Sequence, residues 1–369
     1  VARAPNAVDF WRGFALVSIF VNHVPGNIYG ALTHRNVSFS DSADLFVFLA
    51  GWALRIVTDR AGCEAGSFQP LALRLLARSW KIYAAQLVSV FLAIAILAAA
   101  ALLTHDVNYL TWNSARPIFE APVTAHIGLV LLTYHLNLFD ILPLYVVLTL
   151  MAIPFALLDR RAPALVLPLS LAIYAATLLS GWQLRTWPYE GTWLFNPFSW
   201  QLIFILGFVL GGENGVGGWA RRHLVAIRRV ALPALLVFAA VQIWQLWPAF
   251  DDLPAPKLLF SLDRTFAAPL RIVQLLALIA VFSAVFPFIA RHAGGLVGFL
   301  SRLGRNSLYV FCVGSILSLL GLIVRVEMGG GVVLDTATVA LGIAALWLTA
   351  WLAETPRRSQ RPNAATERV

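Results

Sequence analysis

The sequence predicts an all-α fold, a polytopic integral-membrane helical bundle of about ten transmembrane helices with both termini cytoplasmic. Three observations lead there. Of 369 residues, 60% are hydrophobic and 12% charged, and the mean hydropathy is +0.78. A soluble chain of this length would divide into domains with charged surfaces. Apolar runs of about twenty residues recur along the whole chain. Basic residues, finally, gather in every second connecting segment, as the positive-inside rule requires.

The first expected span, 11–30, carries Arg12, Asn22 and His23 and has no A-x-A cleavage site, so it reads as a retained helix and not a signal peptide. The chain begins at Val1, so further N-terminal residues are expected. The second span, 42–58, runs from Asp44 to Arg55 and leads into an inner loop, 59–81, that holds Arg60, Arg74, Arg78 and Lys81. The third is 82–103. Residues 123–136 are apolar but short, which suits an interfacial or re-entrant helix. Asp140 opens the fourth span, 141–158, from the outside, and Arg160 and Arg161 close it inside. Spans at 162–181 and 199–212 follow, the latter short unless Pro197 and Phe198 extend it. "GGENGVGG" (211–218) lacks the Gly-Lys-Ser/Thr ending of a phosphate loop and is expected to be an inner turn. The last four spans are 231–249, 267–290, 306–326 and 333–353. Residues 1–356 then form one transmembrane domain, and 357–369 a short basic cytoplasmic tail.

Charge tests this arrangement. It places 20 of the 27 Lys and Arg residues inside and leaves seven, among them Arg264 and Arg271, outside. Making 123–136 a full span would turn everything downstream over and put the paired arginines outside. The net charge of +9 is mostly this inner excess facing anionic lipid and calls for no nucleic acid. Cys63, in an inner loop, and Cys312, within a span, are too far apart to pair. The seven histidines show no metal-ligand spacing.

Eleven residues separate Arg12 from His23, about three helical turns, so both lie on one face about 16 Å apart. The second helix repeats the spacing in reverse, with Asp44 near its outer start and Arg55 at its inner end. An antiparallel hairpin would set His23 level with Asp44 and Arg12 level with Arg55. Arginines at membrane edges often only snorkel, and a membrane histidine often only bonds a neighbouring helix. Ionisable groups within spans are nevertheless costly and favour interiors or wet paths. On the residues alone, anchor and site both stand.

The R-x10-H pattern of the first helix resembles that of acyltransferase family 3 membrane proteins. More closely, "DFWRGFALVSIFVNH", "FSDSADLFVFLAGW", "LFDILPLYVVL", "FNPFSWQLIFILG" and "LGRNSLYVF" resemble the OpgC family, in the same order from residue 9 to about 311. The "FLAGW" of the second helix departs from the Ser expected before the glycine. The resemblance implies an O-acyltransferase of the bacterial inner membrane, moving an acyl group, most often succinyl, from cytosolic acyl-CoA to a periplasmic glucan. Succinyl-CoA or another acyl-CoA is then a donor, with no permanently bound cofactor.

Under that reading His23 takes the proton of the attacking hydroxyl, and Asp44 orients the imidazole. Arg12, Arg55, Arg302 and Arg305, with helix-terminal N–H groups at Asn306 and Ser307, would hold the CoA phosphates. Positive-inside anchoring is the competing role for Arg302 and Arg305. Asp41, Asp140, Tyr145, Trp187, Trp193, Asn196 and Trp200 are candidate acceptor contacts, and Trp244 and Trp247 also fall on the outer face. Tryptophans also form belts at every bilayer interface. A membrane transporter or flippase for a glucan or related polar solute is the alternative: Pro143, Pro154 and Pro168 would suit moving helices. Against it, neither half-to-half repetition nor a deep carboxylate pair is evident.

Overall fold

A computed structural model describes residues 4–64 and 69–359, with side chains for 4–59 and 69–355. Residues 360–369 of the expected tail, and the side chains of Arg60, Cys63, Arg357 and Arg358, lie outside the described residues. The described chain is helical, and its one β feature is an isolated bridge between Arg185 and Thr192.

In chain order the helices are α1 (Ala7–Asn22), α2 (Ser42–Glu64), α3 (Gln69–Thr104), α4 (Arg116–Glu120) and α5 (Pro122–Val130). These are followed by α6 (Ile141–Arg161), α7 (Val166–Ser180), α8 (Pro197–Gly211), α9 (Gly215–Arg222) and α10 (Leu224–Ile243). The last are α11 (Lys257–Phe260), α12 (Pro269–His292), α13 (Gly294–Arg305), α14 (Ser307–Glu327) and α15 (Val332–Ser359). Among the described residues seven helices are long and apolar enough to cross a membrane, or eight if the bent α8–α9 pair counts as one span. The expected spans at 11–30 and 42–58 are not among the seven. Helix α1 has only 16 residues, and α2 carries Asp44, Arg55 and Asp59. Those are the two helices that bear the candidate chemistry.

Several expected boundaries need correction. Loop 59–81 is mostly helix: α2 continues to Glu64 and α3 begins at Gln69, so Arg74, Arg78 and Lys81 ride on a 36-residue helix. Charge ends a hydrophobic run but not a helix, because Arg and Lys are good helix formers, and Pro70 in the first turn needs no N–H partner. Helix α1 stops at Asn22, not at residue 30. The chain then turns through two short 3-10 segments, Ile28–Leu32 and His34–Val37. In the "GGENGVGG" stretch only 212–214 turn, since α8 ends at Gly211 and α9 starts at Gly215 after a bend of 69°. Helix α5, nine residues or about 14 Å long, is too short to cross.

The chain divides into two compact units. The first comprises residues up to Gly30 and from Phe288 onward, and is built on α1, α13, α14 and α15. Helices α1 and α13 approach at glycines: a Cβ on Gly13 would meet the Leu300 carbonyl, and one on Gly304 the Asp9 carbonyl. The Ser318 hydroxyl donates to Phe20 O (3.2 Å), joining α14 to α1.

The second unit, Ala31–Pro287, is organised around α8. Trp200, Ile203, Ile205 and Phe208 of that helix are almost fully buried. Helices α2 and α8 cross backbone to backbone at Gly51 and Gly207, where a Cβ would strike the Phe204 and Phe48 carbonyls. Small residues at such crossings let membrane helices gain dispersion contact that apolar tails cannot replace. Helix α10, by contrast, leaves Val230, Leu236 and Val237 exposed, an apolar surface suited to lipid.

Candidate functional site

In the second unit the sequence "FSDSAD" builds its own helix start. The Asp41 carboxylate accepts from the Ala43 N–H (2.8 Å), and the Asp44 carboxylate accepts from the Asp41 N–H (2.7 Å). This reciprocal pattern satisfies donors that the first turn of α2 would leave unpaired. Capping alone does not explain what surrounds it. Arg271 of α12 donates to Asp44 Oδ2 (2.7 Å) and to the Phe39 carbonyl (2.5 Å), and lies 3.4 Å from Asp41 Oδ2. One turn along α12, Gln274 Oε1 accepts from the N–H groups of Phe39 (2.6 Å) and Ser40 (3.1 Å). Arg271 and Gln274 share a helix face, so together they hold the strand of chain entering α2.

Arg264 adds a second cation, with Nε 3.4 Å from Asp41 Oδ2 and its guanidinium 4.9 Å from the centre of the Phe195 ring. Asp41 feels opposed influences. Burial pushes its carboxyl up, but Arg264, Arg271, the Ala43 N–H and His34 outweigh that and hold it below the usual carboxylate range. Burial lowers the neighbouring His34, against the pull of Asp41. Asp44 has no exposed surface, and its Oδ1 has no hydrogen-bond partner among the described residues. Two carboxylates and two guanidiniums thus balance in charge while one buried acceptor oxygen stays open.

The remaining acceptor candidates divide. Asp140 sits at the start of α6, where burial raises its carboxyl to about 7 against the pull of Arg264. Its Oδ1 is 3.9 Å from His135 Nδ1. That contact is no ion pair, because burial keeps His135 neutral, with its pKa lowered to about 4. His135 Nε2 instead donates to Leu132 O (2.8 Å), and its ring meets Trp193 edge-on at 4.5 Å.

Trp193, Asn196 and Trp200 have internal duties that the sequence reading did not foresee. Asn196 caps α8 through Phe198 N–H (3.1 Å) and donates to Trp182 O (2.7 Å). Trp200 Nε1 donates to Arg264 O (2.9 Å), tying α8 to the loop that carries Arg264. All three are buried, and so is Tyr145, edge-on to Phe46. Of the expected aromatic contacts only Trp187 is exposed. The burial of Trp193, Asn196 and Trp200 makes these side chains part of the scaffold around the start of α8.

At the other end of α2, Arg55 meets two carboxylates, Asp59 (2.8 Å) and Asp159 (2.9 Å), with its guanidinium over Phe208. Nearby Arg221 donates to the carbonyls of Gly211 (2.9 Å) and Gly212 (2.6 Å), closing the end of α8. Among the described residues Arg55 is thus faced by two carboxylates.

In the first unit His23 is the residue that ends α1. Its N–H donates to Ile19 O (3.0 Å) and Phe20 O (3.2 Å). Asn27 fixes this end by donating to Val21 O (2.7 Å) and Val24 O (2.6 Å), while its own carbonyl oxygen accepts from Gly30 N–H (3.0 Å). Arg325 bonds Gly26 O (2.6 Å) and pairs with Asp335, whose carboxylate also accepts from Ile28 N–H (3.1 Å). The turn after His23 is thus held on three sides, which is the rigidity a reacting side chain needs. Helix C-termini also favour a positive group, here the charge an imidazole gains with a proton.

Arg12, one face along α1, is half-buried. Arg302 (3.4 Å) and Arg305 (3.0 Å) share one carboxylate, Glu354. Asn306 donates to Glu354 (3.2 Å) and Arg302 O (3.0 Å), and Ser307 begins α14. Arg302 and Arg305 thus meet on Glu354. His23 belongs to the first unit and Asp44 to the second.

Sequence reasoning missed Arg264, Arg271, Gln274, His135 and Asp159. For Arg271 a signal existed, since an arginine inside an apolar run needs a partner. A family model described as OpgC protein matches residues 3–358. No curated protein and no solved structure matches the chain.

Proposed function

From the premise that this chain belongs to the OpgC family, a family of acyltransferases, and is a multi-pass membrane protein, we propose that it succinylates a periplasmic glucan from cytosolic succinyl-CoA. The match across nearly the whole chain carries this reading. The geometry of α1 supplies a chemistry for it. A sugar hydroxyl attacks the thioester carbonyl while His23 takes its proton. The tetrahedral intermediate then expels the CoA thiolate, and the proton passes from the imidazolium to that sulfur. A rigid helix end that favours a cation is a suitable place for an imidazole that must become charged and neutral again. Asp44 is assigned to the acceptor side, its open Oδ1 able to accept a hydrogen bond from a sugar hydroxyl.

On the donor side, Arg12, Arg302 and Arg305 are proposed to hold CoA phosphates, with Asn306 and Ser307 beside them. Arg55, balanced by Asp59 and Asp159, is assigned a lesser share. Substitution tests the assignment. Replacing Arg302 and Arg305 together by Gln should raise the acyl-CoA KM about tenfold, while the glucan KM stays close to wild type. Arg55→Gln should shift it less. Equal donor affinity in the folded double variant would reduce both arginines to partners of Glu354. Solute movement across vesicles without acyl transfer would favour a transporter, which also needs buried charges.

A further inference from the structure

Away from the carboxylate–arginine cluster, the second unit holds a cavity of about 590 Å³ between the 3-10 turn at His34–Val37 and the end of α10. Its polar lining is Asn36, Gln242, Gln245 and Trp247, and the other side chains are aliphatic. None is charged. The volume falls within the range of about 300–1,000 Å³ common for small-molecule sites.

The lining has a chemical signature. Gln242 and Gln245 each carry amide donors and an acceptor, while the Asn36 amide already donates to Thr33 O (3.5 Å). A ligand that complements it must donate and accept at several points and carry no charge. A phosphate headgroup would ask for a cation, and an ammonium for a carboxylate; neither lines the cavity. Hydroxyl groups of a neutral sugar meet the requirement. The indole adds a second recognition element, since the negative face of an aromatic ring attracts the weakly positive C–H faces of a pyranose. Trp247 is held in place: Nε1 donates to Phe260 O (3.1 Å), and its ring lies 5.8 Å from that of Phe39.

Phe39 also joins the cavity to the cluster. Three residues after Asn36, it gives its carbonyl to Arg271 and its N–H to Gln274. The chain that walls the cavity at Asn36 and Val37 therefore runs straight into the clamp at Asp41 and Asp44. We propose that this cavity is a subsite for a neutral oligosaccharide segment of the acceptor, removed from the reacting hydroxyl. The identification of that oligosaccharide as glucan rests on the transferase reading; the subsite itself does not.

The experiment uses the full chain in lipid nanodiscs, titrated by calorimetry with glucose and with gluco-tetraoses of several linkages. The variant is Gln242→Ala with Gln245→Gly. Glycine accepts the left-handed backbone at position 245 (φ 51°), so the amide is removed without strain. Loss of two hydrogen-bonding side chains should weaken tetraose binding about tenfold. In the transfer assay the tetraose KM should rise by a similar factor, with transfer to glucose and thermal stability unchanged. Tetraose affinity equal to wild type in the folded variant overturns the proposal. So does a wild-type protein that binds phospholipid headgroups here and no tetraose. Tetraose binding that the variant loses, in a protein that transfers no acyl group, would leave the subsite standing and bring down the transferase reading.

Discussion

A His23→Asn protein is expected to bind acyl-CoA as wild type does and to transfer its acyl group about 10²–10⁴-fold more slowly. Asparagine retains part of the shape of imidazole and can form hydrogen bonds, but it cannot take a proton near neutral pH. The helix end should survive the change, because the His23 N–H, Asn27 and Arg325 fix it and all remain. Loss of kcat with unchanged donor binding is the pattern of an interaction made only in the transition state. Single-turnover transfer, with acyl-CoA binding measured beside it, checks this. A variant with half the wild-type rate would return Arg12 and His23 to anchoring and packing, and would turn attention to Asp140.

Arg271→Met should be the most damaging substitution in the second unit. Methionine is close in volume but leaves Asp41 and Asp44 buried with much of their compensating charge removed, and the Phe39 carbonyl without its donor. Removing one partner of a buried ion pair costs roughly 3–5 kcal/mol. Arg271→Lys should fall between, since one ammonium cannot reproduce a fork that reaches two carboxylates and a carbonyl. Adding Asp44→Asn to Arg271→Met should restore part of the stability by removing a stranded charge. Thermal unfolding of the purified proteins reads all three. An Arg271→Met protein as stable as wild type would show that the cluster is not a structural keystone.

The helical class was legible because a run of apolar residues needs no knowledge of its neighbours to exclude water. Asp41 and Asp44 were legible for a similar local reason, since ionisable groups at the edge of such a run stand out. Their partner was not. Arg271 is 227 residues beyond Asp44, and its place inside an apolar run calls for a partner without saying which. The internal bonds of the candidate acceptor contacts were equally hidden. Trp200 and Asn196 are residue types that bind sugars well, yet both are spent on the start of α8, through bonds to Arg264 O and Trp182 O. The start of α3 was misplaced because a hydropathy pattern ends at Lys81, whereas the helix depends on backbone bonds that Arg and Lys sustain.

We propose that this protein moves an acyl group from CoA to a sugar hydroxyl, with His23 handling the proton. It is tested most directly by incubating purified protein with succinyl-CoA and a gluco-oligosaccharide and following the products by mass spectrometry. The account predicts an oligosaccharide carrying an ester-linked succinyl group, one free CoA thiol for each ester, and neither product from the His23→Asn protein. Equal yields of succinylated sugar from wild type and His23→Asn, or none from a folded wild-type protein supplied with both substrates, would contradict it.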